Sequence, residues 1–327
     1  MGQGELQAWL DAGAGSDEEF VDRAWRLVVR RPPEPDARAA ALAKLADGTI
    51  SRAGLLQQLT SSDEFARVAL LDGAVAFAAA ERRGPRGVRG PARPRELHAP
   101  AASDERAIEI PWCLARYDEE SRVLDIGYAF AEPAYLAGLV ALGAAELAGA
   151  DLAEADVPGL SPIAGDVRNL PVADGAFELV ICISTLEHVG RDNEVYEIDA
   201  AREEHGDEAT LRELRRVLAK DGRLIVSVPT GQHDDQGWQL QRTPDDWVAV
   251  FERAGFLVYE DELYVRSADG WRSATLEEAQ GARYGVGGPG AGAVLLAELH
   301  AETVGGKLRL VVRDVRHGDA PRRSTRK

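Results

Sequence analysis

Up to about residue 82 the apolar positions recur at helical spacing. Ser16-Asp17-Glu18-Glu19 supplies a capping hydroxyl and an acidic first turn, and Phe20, Ala24, Leu27 and Val28 follow on one face. Pro32, Pro33 and Pro35 stop that helix. A second helix is predicted over 36–45, stopped by Asp47-Gly48. Ser51 caps a third that carries Leu55, Leu56 and Leu59. Ser62-Asp63-Glu64 opens a fourth with Phe65, Val68 and Ala69 inward. Beyond residue 98 the pattern changes to short apolar runs separated by helical stretches. Strands are predicted over 122–126, 145–151, 161–164, 177–183, 223–228, 256–264 and 293–299. Helices are predicted over 133–142, with Pro133 in the first turn, over 210–218, and from Thr243 to Ala254. Alternating strand and helix predicts an α/β domain, a doubly wound and mostly parallel seven-stranded sheet, preceded by a small all-α domain.

Between the two patterns, residues 83–97 hold three prolines, three glycines and five arginines, which deny regular structure and mark a linker. The division is therefore a helical module over 1–82, a linker over 83–97, the α/β domain over 98–303 and a tail over 304–327. Charge follows these boundaries. The chain carries a net −17, yet 307–327 hold eight basic and two acidic residues, and 81–97 hold six arginines and two glutamates. What remains sums to −27, which argues against a nucleic-acid binder. The basic tail suits an anionic lipid surface or an acidic partner, or is a solvated end. No apolar run reaches the length of a membrane span, and the first residues lack a secretory pattern. Two cysteines, Cys113 and Cys182, fit a reducing compartment, so the cytoplasm is expected.

Ligands on such sheets bind at the carboxyl ends of the strands. The first strand ends in Asp125-Ile-Gly127-Tyr-Ala129-Phe-Ala131, where small residues let a ligand approach the backbone. The second ends in Asp151, placed to accept from a ribose diol. Gly165-Asp166-Val167 follows the third, and Ser184-Thr185-Leu186-Glu187-His188 the fourth. A dinucleotide fingerprint would need glycines at 129 and 132, where Ala129 and Glu132 stand, which argues against a dehydrogenase.

These strand ends resemble those of class I S-adenosylmethionine-dependent methyltransferases over about residues 104–300. Asp125 and Gly127 match the family's glycine-rich loop, while Ala129 and Ala131 replace its later glycines. Arg168-Asn-Leu-Pro171, Asp174-Gly175, Leu214-Arg-Arg-Val-Leu218, Asp221-Gly222 and Val228-Pro229 match its approach to strands four and five. The resemblance implies a Rossmann-like methyltransferase fold with S-adenosyl-L-methionine as cofactor. Asp125, Gly127 and Ala129 would take its methionine part, Asp151 the ribose, and Asp166 with Val167 the adenine, with Ser184 beside them. Glu109-Ile-Pro111-Trp112, Ile183 to Gly190, Val228-Pro-Thr-Gly231, Gly270-Trp271 and Tyr284 resemble a methyltransferase-like group found with bacterial polysaccharide genes. That implies a glycan or sugar-nucleotide acceptor. Residues 17–21, 28–36 and 61–65 resemble a helical module of bacterial surface-layer and glycan-related proteins, distantly similar to phycobilisome linker repeats. It implies a protein partner rather than chemistry.

A sugar hydroxyl needs a base, and His188 is the first candidate, with Glu187 next. His188 is equally open to a purely structural role beside the cofactor. Asp192, Tyr196, His233 and Trp238 are candidate acceptor contacts, with Asp199 and Trp271 further options. Some related enzymes bind a divalent ion through Glu-x-x-Glu-His. Ser184 stands at the first position here, leaving Glu187, His188 and His233, so no metal is expected. The rival reading is a non-catalytic adaptor with a degenerate cofactor fold, motivated by Ala129 and Ala131 and opposed by the three intact acids.

Overall fold

The computed structural model of the chain describes residues 15–82, 96–194 and 202–301. Residues 83–95 of the predicted linker, Tyr196, Asp199 and the basic tail lie outside the described residues, while Glu96 and Leu97 at the linker's end are described. The N-terminal helices are α1 (Asp17–Val28), α2 (Pro35–Ala46), α3 (Arg52–Thr60) and α4 (Asp63–Glu81). The hydroxyls of Ser16, Ser51 and Ser62 accept from the backbone N–H of Glu19, Gly54 and Phe65, as their capping pattern predicts. A helix not predicted follows, α5 (Arg106–Leu114), buried on every side and containing Pro111.

The α/β part then runs β1 (Arg122–Ile126), α6 (Pro133–Val140), β2 (Glu146–Asp151), β3 (Ser161–Ala164) and β4 (Phe177–Ile183). It continues through α7 (Gly206–Val217), β5 (Leu218–Pro229), a two-residue pair β6 (Asp234–Asp235) and β7 (Leu240–Gln241), and α8 (Pro244–Arg253). It closes with β8 (Phe256–Ser267), β9 (Gly270–Ser273), α9 (Leu276–Gln280) and β10 (Ala293–Ala301).

The main sheet is ordered β3-β2-β1-β4-β5-β10-β8-β9. The first five strands of that order are parallel to one another, while β10 runs antiparallel between β5 and β8. This is the mostly parallel, Rossmann-like architecture, with eight strands where seven were expected. The extra strand is β9, which pairs antiparallel with β8 across the Ala268-Asp269 turn. Alternation along each central strand assigns its two faces. Leu179 and Ile181 of β4 enter one core with Val123, Val294 and Leu296, whereas Val180 and Cys182 enter the other with Leu124 and Leu295. Helices α7 and α8 cover the second face through Leu211, Leu214, Val217, Trp247 and Phe251.

The first face is covered by α5 and α6, and by α4 from the N-terminal region. Leu71 and Ala78 of α4 are buried in that core, with Val75 packed against it. Helices α1–α3 hold a separate core built on Phe20, Val21, Trp25, Leu55 and Leu56. Thus α4, which the sequence pattern groups with the helical module, shares its core with the sheet. Among the described residues no helix is long and apolar enough to cross a membrane.

Candidate active site

The carboxyl ends of β1, β2, β3 and β4 open onto one cavity of about 400 Å³. Asp125, Gly127, Asp151, Asp166, Val167, Ser184 and His188 all line it. The topology brings them together because β1 is flanked by β2 and β4, so consecutive crossovers leave in opposite directions and part above it.

Gly127 sits at φ +84°, in the left-handed region, and a Cβ there would collide with the Thr185 side chain. Only glycine fits this close approach between the β1 and β4 loops. Asp125 is buried and accepts from the Tyr135 hydroxyl. Burial pushes its carboxyl up to about 8, against the pull of that hydrogen bond and with a further push from Asp151. Asp151 is held in place by two backbone amides. Ala129 N–H donates to Oδ2 and Ala153 N–H to Oδ1, both at 3.1 Å. Ala129 itself is absent from the cavity wall, a correction to its expected ligand role. It contributes through its N–H, which needs only the tight 3-10 turn over Tyr128–Phe130 and no glycine.

Asp166 is engaged by Arg168, whose Nε lies 2.9 Å and Nη2 2.5 Å from its two oxygens. Those hydrogen bonds hold the carboxyl below the usual range. Leu152 and Phe130, exposed at 43% and 54%, stand on the cavity wall beside Asp151 and the β1 loop. An acid flanked by open apolar surface suits a nucleoside, with hydroxyls toward Asp151 and a flat ring against the apolar groups. The glycine cradle, the fixed Asp151 and this apolar rim fit S-adenosylmethionine.

Ser184 has φ +39°, a strained value for a non-glycine residue. Its Oγ donates to Glu109 Oε1 at 2.6 Å, and its N–H donates to Ser227 O at 3.0 Å. His188 Nδ1 donates to Trp238 O at 3.0 Å, since a carbonyl can only accept, and this leaves Nε2 as the acceptor nitrogen. Burial lowers the His188 pKa to about 4, so the ring is neutral at pH 7. Its ring stacks on Trp238 at 5.2 Å, and Trp238 meets Tyr284 edge-on at 5.7 Å. Glu187 is placed differently from expectation. It is buried behind the wall, Oε1 is 3.7 Å from His188 Nε2, and Oε2 has no hydrogen-bond partner among the described residues. Burial pushes its carboxyl up to about 8, which favours its protonated form at neutral pH.

Of the candidate acceptor contacts, Asp192 and Trp238 line a second cleft of about 330 Å³ with Glu194, Gln236 and Gly237. His233 is exposed and lines neither cavity, because its loop turns outward after β5. Trp271 is buried in the core, its Nε1 donating to Ser103 O at 3.0 Å, so it offers no face to a ligand. Among the described residues no group of three His, Cys, Asp or Glu side chains is placed to hold a metal ion.

Sequence reasoning missed the wall contributed from outside the strands. Arg67 of α4 pairs with Asp104 and Glu132 on the cavity lining. Glu105 and Arg106 line it from the start of α5, and Tyr284 and Gly290 from the loop before β10. One signal was available: Glu109 is a charge inside the otherwise apolar run Ala107 to Ala115, three residues after Arg106 at its start.

Residues 124–226 match the family described as "Methyltransferase domain". Fold, strand-end site and this match define an S-adenosylmethionine-dependent methyltransferase, with S-adenosylmethionine as its cofactor. No curated protein matches the chain in sequence. Among solved structures, it is similar to 1,6-didemethyltoxoflavin-N1-methyltransferase of Burkholderia thailandensis, with 14% identity and a TM-score of 0.41 over 84% of this chain and 92% of that one. A methyltransferase of Thermotoga maritima aligns with 16% identity and a TM-score of 0.39 over 59% and 88%. One of Mesorhizobium loti aligns with 16% identity and a TM-score of 0.36 over 56% and 91%.

Proposed function

We propose that this methyltransferase acts on a hydroxyl of a glycan or sugar-nucleotide acceptor, with His188 as the base. The observation that carries the reading is the neutral His188 ring on the cavity wall, its tautomer set by the Trp238 carbonyl. When bound, S-adenosylmethionine supplies a methyl group already activated on a sulfonium. The chain's own residues must orient the acceptor, exclude water and take the hydroxyl proton. His188 Nε2 is the accepting atom, the Trp238 carbonyl holds the ring's other edge, and Glu187 Oε1 lies 3.7 Å from Nε2. An extended acceptor is supported by the aromatic series His188, Trp238 and Tyr284, which carries the first cavity toward the second cleft. Asp192, Glu194 and Gln236 there are hydrogen-bonding groups of the kind that read sugar hydroxyls.

The same reading places the enzyme in the cytoplasm, at a step of polysaccharide synthesis, and the two buried free thiols agree with a reducing compartment. Helices α1–α3, with their own core, would be the docking unit for a protein partner. The test is transfer of labelled methyl from S-adenosylmethionine to a panel of sugars, oligosaccharides and sugar nucleotides, with matched amines as controls. The expected product is a methyl ether. His188→Gln should lower kcat by about 10²–10⁴-fold with little change in S-adenosylhomocysteine affinity. Methylation of amines alone, or an unchanged kcat in that variant, would overturn the reading.

A further inference from the structure

Strand β8 is twelve residues long, but β9 pairs with it only from Tyr264 to Ser267. Just before that stretch, Leu263 O accepts from the Ala274 N–H at 2.8 Å. From Phe256 to Glu262 the outer side of β8 has no paired strand among the described residues. A long sheet edge in this state is a template for pairing, and folded proteins cover or blunt such edges. This stretch carries three successive acids, Glu260-Asp261-Glu262, and Tyr259 exposed at 46%. Leu257 and Leu263 beside them are half-buried, and Leu276 of α9, a helix packed against β8, is exposed at 43%.

The chain delivers a segment of its own to this edge. β10 runs antiparallel to β8, and its last residue, Ala301, pairs with Phe256. The continuation therefore leaves at the amino end of the uncovered stretch. Residues 302–306, Glu-Thr-Val-Gly-Gly, have only to pass the end of β8. That is a step of two strand spacings, about 10 Å, and a segment of this length reaches up to about 17 Å. The sequence then reads Lys307-Leu-Arg309-Leu-Val311-Val-Arg313. Lys307, Arg309 and Arg313 fall on one face of a strand, and Leu308, Leu310 and Val312 on the other, the period-two pattern of a half-buried strand. Opposite charges on neighbouring strands attract and like charges repel. A basic strand thus suits the acids of β8, whereas the β8 edge of a second copy would bring the same acids against them.

We propose that residues 307–313 of this chain form an added edge strand on β8 and complete the sheet there. A segment returning from the Phe256 end runs in the direction of β8, so the pairing is parallel. Lys307, Arg309 and Arg313 meet the acids of Glu260 to Glu262, and the apolar face lies toward Leu263 and Leu276. The first part of the basic tail then belongs to its own domain rather than serving as an arm for an anionic surface.

Amide hydrogen exchange of the full chain, dilute and without lipid, reads this with no substitution at all. Alternate amides of 308–312 and the outward amides of 257–262 should exchange at least about tenfold more slowly than unstructured chain. In a Leu310→Pro, Val311→Pro variant, adjacent prolines remove a donor of each parity, and both stretches should lose that protection while β4 keeps its own. A peptide of residues 303–316, added to the chain lacking 303–327, should restore protection on β8. The same peptide with Lys307→Glu, Arg309→Glu and Arg313→Glu should not. Exchange of 308–312 at the unstructured rate in the full chain, or unchanged protection of 257–262 in the proline variant, would overturn the proposal. So would protection that grows with protein concentration, the mark of a second copy, or that appears only with phosphatidylglycerol vesicles, the mark of a lipid surface.

Discussion

Glu187 and His188 are adjacent in sequence and shifted in opposite senses by the same burial. An acid raised from 4.5 to about 8 binds its proton more tightly when folded, so its contribution to stability is full below about 4.5 and is lost as pH rises through about 8. His188, lowered from 6.5 to about 4, makes stability rise with pH between those values. The two oppose each other up to about pH 6.5, and above it only the carboxyls act, Asp125 among them. The melting temperature should therefore fall between pH 6.5 and 8.5, with a shallower slope in Glu187→Gln. An identical slope in that variant would show that Glu187 is ionised in the folded state. At this scale the acids at the strand ends were readable, because each follows a buried apolar run. The roles of Ala129 and Glu187 were not. One acts through its backbone, and the other points away from the cavity that its neighbour lines.

Elements were readable where an apolar run was short and bounded, as in β1 and β4, whose limits match the predicted ones residue for residue. Helix α5 was missed because its buried residues surround it on every side, which erases the 3.6-residue stripe, and because Pro111 argues against a helix. Strand β9 was missed because it is only four residues long and its turn residues, Ala268-Asp269, are not a favoured hairpin pair. The packing of α4 was hidden for a different reason, since a linker in the sequence does not say which core the helix before it joins. That packing gives a prediction. Leu71→Ala should cost about 2–5 kcal/mol and weaken S-adenosylhomocysteine binding, because α4 also carries Arg67 to the cavity. Leu56→Ala, in the separate core of α1–α3, should cost a similar amount in the melting of that region while leaving cofactor affinity unchanged. Calorimetric melting with ligand titration checks both, and equal effects on affinity would show that the two cores respond as one.

At the scale of the whole molecule, charge is the dominant property. With −27 outside the two basic segments, the acidic body repels itself. Raising salt from about 10 to about 150 mM shortens the screening length from about 30 to about 8 Å, and the melting temperature should rise by a few degrees. No rise, or a fall, would mean that the acids are already neutralised within the fold. The order of the sheet sets a further condition, on biosynthesis. β10 is the last described strand to leave the ribosome, yet it is laid between β5 and β8. Until it arrives, both of those strands carry an open edge, and the nascent domain cannot seal. A chain cut short before residue 293 is thus a sticky intermediate rather than a smaller enzyme, and a holding chaperone would be needed until synthesis passes that point.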